Sequence, residues 1–123
     1  MHTKPVSVFL TTKVDSVKAI DKFEEMLLDS EKVELGYIAT RDRLIFTDKR
    51  ILIINVQGLT GKKVDFHTIP YNKISSFSVE TSGTFDLDSE LKIWVSGLAG
   101  IEIKFLKGIN IKEIGQFIAS KII

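Results

Sequence analysis

Between Arg41 and Lys63 the chain sets short apolar runs against compact polar turns, and no other stretch constrains the fold as much. Leu44 to Phe46 and Ile51 to Val56 supply the apolar runs. Thr47-Asp48-Lys49 divides them as a sharp connection, and the loop Gln57-Gly58-Leu59-Thr60-Gly61-Lys62-Lys63 follows. The pattern predicts a small antiparallel meander. Nothing in it looks like chemistry.

A chain of 123 residues is enough for one domain with a real core and short for two. Its 17 basic and 16 acidic residues leave a net charge of +1, so there is no global pull toward nucleic acid, membrane or an acidic substrate, and electrostatic recognition has to be local. With no cysteine there is no disulfide framework, thiolate nucleophile or cysteine-rich zinc site. The opening Met1 to Leu10 is followed by no sustained hydrophobic stretch or cleavage pattern, which reads against a signal peptide. No apolar run approaches the roughly 20 residues that span a bilayer. A soluble, cytoplasmic protein is expected.

Hydrophobic period divides the rest. Val14, Val17, Ile20, Phe23 and Leu27 recur at helical spacing, which predicts an amphipathic helix over 14–28 with Asp15 as its cap. Val33, Leu35, Tyr37 and Ala39 then share one side of an extended segment. Val64 to Ile69 forms another strand before Pro70. Phe77 and Val79 alternate with Ser76, Ser78 and Glu80; Leu91, Ile93 and Val95 oppose Lys92, Trp94 and Ser96; Ile101, Ile103 and Phe105 complete the apolar pattern. About seven strands result, too many for a comfortable flat layer, and a curved barrel or two orthogonal sheets is favoured. From Asn110 the period turns helical again, with Ile111, Ile114, Ile118 and Ile122 in a stripe, Glu113 completing a cap, and Gly115 suited to close approach. Residues 1–13 are expected as a flexible or edge-strand extension, and 14–123 as a single domain including both terminal helices.

The run Arg41-Asp42-Arg43-Leu44-Ile45-Phe46-Thr47-Asp48-Lys49-Arg50 resembles the bacterial pleckstrin-homology-like domain family, a domain of unknown function. Gln57 to Lys63, Ile69-Pro70-Tyr71 and Glu80 to Trp94 resemble further blocks of that family in the same order, so the likeness runs from about Asp15 to the end. What it implies is a mainly β, partly open barrel of about seven antiparallel strands with a C-terminal helix, to which this chain adds an N-terminal helix. It also implies homo-oligomers that close into rings. It brings no catalytic centre, cofactor or physiological ligand.

Arg41, Arg43, Lys62 and Lys63 are the candidate contacts for an anion or an acidic partner, since meander alternation sets their two connections at one end, with Lys49 and Arg50 near the other. Asp42, Asp48 and Asp65 dilute the group. Asp86, Asp88 and Glu90 alternate along an extended stretch without a calcium-loop arrangement, and His2 and His67 form no zinc signature or identifiable base. Gly58 to Lys62 lacks the full phosphate-binding loop pattern. No catalytic residue, cofactor or metal is expected. Phe77 and Trp94 are candidate oligomer contacts, because large aromatic side chains beside strand edges share burial between subunits. The expected function is noncatalytic binding or scaffolding through homo-oligomerisation and an unidentified protein partner. An anionic-lipid or phosphorylated-headgroup module is the alternative, an enzyme the weaker one; no nucleic acid is expected.

Overall fold

The computed structural model describes residues 7–81, 88–96, 100–106 and 108–123, with residues 7–9 described by their backbone. Its elements run β1 (Ser7–Leu10), β2 (Thr12–Val14), α1 (Ser16–Ile20), a 3-10 turn (Glu24–Met26), β3 (Val33–Ile38), β4 (Arg43–Thr47), β5 (Arg50–Gln57), β6 (Lys63–Pro70), a second 3-10 turn (Tyr71–Lys73), β7 (Ile74–Glu80), β8 (Ser89–Val95), β9 (Ile101–Phe105) and α2 (Ile111–Ile122). The seven strands read from the sequence are β3 to β9. Upstream of them lie β1 and β2. The chain divides into two compact units, one of residues 12–70 and one of residues 1–11 with 71–123.

The first unit is an antiparallel sheet in the order β2-β3-β4-β5-β6. Its tightest reversal is the one the sequence marks at Thr47: Phe46 faces Ile51 across the β4–β5 hairpin, and Thr47 Oγ1 accepts from the backbone N–H of Lys49 at 3.1 Å and of Arg50 at 3.0 Å. A threonine hydroxyl can satisfy two turn donors in this way without help from solvent. Strand parity puts Ile45, Leu52 and Ile54 on one face, where Ala19 and Ile20 of α1 pack on them with Phe23, Leu27, Val33, Val56, Val64 and Phe66 around. Leu44, Phe46, Ile51 and Ile53, of opposite parity, are fully buried as well. Burial on both faces explains why β4 and β5 read as continuous apolar runs.

The N-terminal helix is shorter than its periodicity. Asp15 caps α1 as expected, its Oδ1 accepting from Lys18 N at 2.9 Å. The helix stops at Ile20 because Phe23 N–H closes back onto Ile20 O and Lys22 turns left-handed at φ 74°. Arg43 Nη1 then donates to the carbonyls of Lys18, Ala19 and Asp21, occupying acceptors that a continuing helix would have used. Phe23 and Leu27 reach the apolar cluster from the two positions flanking the 3-10 turn, while Val17 stays exposed.

The second unit holds the sheet β1-β9-β8-β7, antiparallel except that β1 runs parallel to β9. Alternation is realised as read: Leu91, Ile93, Ile101, Ile103 and Phe105 are buried. Asn110 Oδ1 accepts from Glu113 N at 3.3 Å to start α2, which buries Ile111, Ile114 and Ile118. Gly115 faces Val79 of β7, and a Cβ there would stand 3.3 Å from both Val79 γ-carbons. The glycine is the close-approach point of this helix.

Candidate functional site

At one end of the five-stranded sheet two turns meet. The β3–β4 turn is closed by Ala39 N donating to Asp42 O at 2.9 Å, and the β5–β6 turn by Gly61 N donating to Gly58 O at 3.3 Å, with Gly58 and Gly61 both at positive φ. Asp42 Oδ1 accepts from Val56 N at 3.2 Å, and Arg41 Nη2 donates to Gly58 O, so both residues tie the turns together. Arg43, one strand position on, bonds the end of α1 and sets its guanidinium 4.9 Å from the Phe23 ring centre, a cation–π contact.

These tethers frame a cleft of about 360 Å³ lined by Lys22, Arg41, Arg43, Phe23, Val56 and Val64, with Thr40 and Gly61. Of the four basic candidates, Arg41 and Arg43 therefore come together. Lys62 and Lys63 are exposed at the same end, outside the lining. Lys22 was not singled out by its sequence context, and it takes its place through a left-handed backbone that costs a non-glycine residue about 1 kcal/mol.

The opposite end carries a polar network with no local sequence signal. Arg50 clasps Glu31 with two bonds, Nε to Oε2 at 2.9 Å and Nη2 to Oε1 at 3.1 Å, and also donates to Thr68 Oγ1 and Met26 O. Thr47 Oγ1 donates to Glu31 Oε2 at 2.6 Å and Leu28 N–H donates to Oε1 at 3.1 Å. Burial alone would raise the Glu31 pKa; the bonds from Arg50, Thr47 and Leu28, with the charge of Arg50, outweigh it and hold the carboxyl below its usual 4.5. This group anchors the segment entering β3.

Trp94 and Phe77 lie on opposite faces of the four-stranded sheet. Phe77 pairs with Ile93 and shares the parity of Val79, the side on which α2 packs; Trp94 pairs with Ser76. Trp94 is 39% exposed, and its indole rests over Gly100, where an added Cβ would come 3.1 Å from Nε1. Around it the outward register positions are polar: Ser76, Ser78, Glu80, Lys92 and Glu102. A bulge between Ile74 and Ser76 lets Ser75 Oγ donate to Trp94 O at 2.9 Å.

His67 sits opposite Ile53 on β6. Asp86 lies outside the described residues, while Glu90 is on β8. Among the described residues no group of three or more His, Cys, Asp or Glu could hold a metal ion, and no helix is long and apolar enough to cross a membrane.

A family model described as "Bacterial PH domain" matches residues 6–122. The uncharacterised protein YjqA of Bacillus subtilis is 48% identical over 102 residues, covering 81% of this chain and 82% of its own. A DUF1696 family protein with a pleckstrin-homology domain from Shewanella loihica superposes with a TM-score of 0.80 at 38% identity, over 90% of this chain and 96% of that one. A pleckstrin homology domain from Shewanella amazonensis gives 0.72 at 41% identity, over 89% and 90%. The mainly β architecture with its C-terminal helix is thus the PH-like fold that the ordered sequence blocks imply.

Proposed function

The chain belongs to the bacterial PH domain family, and on that premise we propose that it acts by self-association into a closed ring whose surface then engages another protein. As a PH-like domain it is a noncatalytic module suited to protein or lipid contact. In this reading residues 14–123 work as one domain in the cytoplasm.

The observation that carries the reading is the pairing of Trp94 with the β7 edge. β7 ends its sheet with β8 as its hydrogen-bonded neighbour, and Trp94 stands one strand in, outward and 39% exposed among serines and charges. A tryptophan on an otherwise polar sheet face is characteristic of an interface anchor, and a strand added beside β7, whose strand partner among the described residues is β8, would pair that edge while covering the indole. Phe77 contributes from the other face, beside the surface shared with α2. Ring closure limits further addition and avoids open-ended stacking. Sedimentation equilibrium over a wide concentration range tests this: the expected result is one discrete species larger than a dimer. A persistent 13.8 kDa monomer at high concentration overturns self-association, and a tight dimer overturns the ring.

A further inference from the structure

We infer that the apolar groove beside α1 docks a basic amphipathic helix of another protein, the helix seating its apolar side against Val17, Ile20, Leu27, Leu28 and Val33 and its cations toward an acidic rim. This surface supplies the protein contact of the proposed function and rests on that reading at that point alone. It shares no residue with the β7 edge, so sedimentation mass tests the ring while peptide binding tests this face.

The fold leaves the apolar stripe of residues 14–28 half used. A continuous helix would turn the whole stripe onto the sheet, but α1 stops at Ile20 and the stripe divides. Ile20, Phe23 and Leu27 pack on the cluster, whereas Val17 is 78% exposed and Leu28 61%. Val17 lines a groove of about 340 Å³ with Ser16, Ile20, Leu27, Lys32 and Val33, and Leu28 follows directly on Leu27. Large apolar side chains gathered at a groove and bordered by charge mark contact surfaces, unlike single exposed leucines.

Charge selects the occupant. Between Asp15 and Glu34 seven acidic residues stand against Lys18, Lys22 and Lys32, a net charge of −4 in a chain whose total is +1. Glu31 is taken up by Arg50, and the other six acids are exposed, Glu24 and Glu25 just before Leu27-Leu28 and Asp29 just after. Such an excess disfavours an anionic bilayer or an acidic peptide and attracts a cationic one. Lys32 is in the lining, where a lysine can lay its stem on apolar surface with the ammonium turned to water.

The floor of the groove is fixed before a partner arrives. Leu27 N donates to Glu24 O and Glu31 N to Leu28 O, each at 3.0 Å; Leu28 N donates to Glu31 Oε1 at 3.1 Å. Lys32 and Asp48 exchange two bonds, each at 2.9 Å. Backbone held in this way loses little freedom on binding, so a few apolar anchors yield more affinity. Strand addition is not available here, because β3 is already paired by β2 and β4. An entering segment has to satisfy its own backbone groups, as a helix does, presenting anchors at i, i+3 and i+4.

Fluorescence anisotropy titration with a labelled helical peptide of leucine and lysine, about 14 residues long, and with its leucine–glutamate counterpart reads out the face. The expected result is saturable binding of the lysine peptide that weakens as salt is raised, and no binding of the glutamate peptide. Val17→Ser combined with Leu28→Ser, both at exposed positions, should keep the unfolding midpoint and weaken binding about tenfold. Glu24→Gln combined with Glu25→Gln should weaken binding less and flatten its salt dependence. Leu59→Ser and Trp94→Ser should bind as wild type, which ties the signal to this face rather than to general adhesion of an apolar cation. Absence of binding, wild-type affinity in the folded Val17→Ser/Leu28→Ser variant, or an equal loss in the Leu59 and Trp94 variants overturns the proposal. So does a lower sedimentation mass in Val17→Ser/Leu28→Ser, which would assign the face to a second copy, and so does co-sedimentation with phosphatidylglycerol vesicles that this variant abolishes, which would assign it to a bilayer.

Discussion

Gly36 of β3 lies so close beneath Ala19 of α1 that a Cβ on the glycine would collide with the Cβ of the alanine. Two small residues, one on each element, thus set how near the helix can come to the sheet, and with that the placement of Lys22 and Phe23 immediately after it.

Gly36→Ala should therefore destabilise by about 1–3 kcal/mol, the range of overpacking in a tight core. Combining it with Ala19→Gly should return part of that loss, although Ala19→Gly alone weakens the helix. Urea denaturation of the two single variants and the double variant measures the coupling; additive losses would show that the two sites do not meet.

The Glu31–Arg50 clasp gives a pH-dependent expectation. Glu31 is held below its usual 4.5, so its contribution is present in full above that value and is lost as pH falls through the folded-state pKa. Glu31→Gln should lower stability near neutral pH by about 2–4 kcal/mol, somewhat under the figure for a fully buried pair because Arg50 keeps partial exposure. The gap between wild type and variant should narrow as the medium is acidified below 4.5. Thermal unfolding across acid and neutral buffers checks this, and a gap that widens in acid would contradict the assignment.

Gly115→Ala tests the contact of α2 with β7. Alanine gains about 1 kcal/mol of helix propensity over glycine, but its methyl would meet both γ-carbons of Val79 at 3.3 Å. In wild type the two effects should nearly cancel. In a Val79→Ala background, where the obstruction is gone, Gly115→Ala should stabilise by about that propensity gain. Equal effects in both backgrounds, measured by chemical denaturation, would mean that Val79 does not constrain the helix.

The sequence made legible whatever depends on neighbours in the chain. Turn chemistry at Thr47, capping by Asp15 and Asn110, and the period-two pattern of β7 to β9 all follow from local rules, and so does the outward parity of Trp94 relative to Leu91 and Ile93. What escaped depends on distant partners. The helical period over 14–28 was real, yet Arg43 takes the carbonyls at the end of α1 from 22 to 25 positions away. Glu31 and Arg50 are 19 positions apart and each reads alone as an ordinary surface charge. Lys22 joins Arg41 and Arg43 only after that early helix stop.

The central claim, self-association that covers the sheet face beside β7, is tested most directly by Trp94 itself, the single tryptophan of the chain. Acrylamide quenching of its fluorescence, recorded on the same dilution series as the sedimentation mass, reports the exposure of that face in each state. The account expects quenching to fall severalfold as the discrete assembly forms, and Trp94→Ser to shift assembly to higher concentration. Quenching that is the same in assembled and dissociated protein would contradict it.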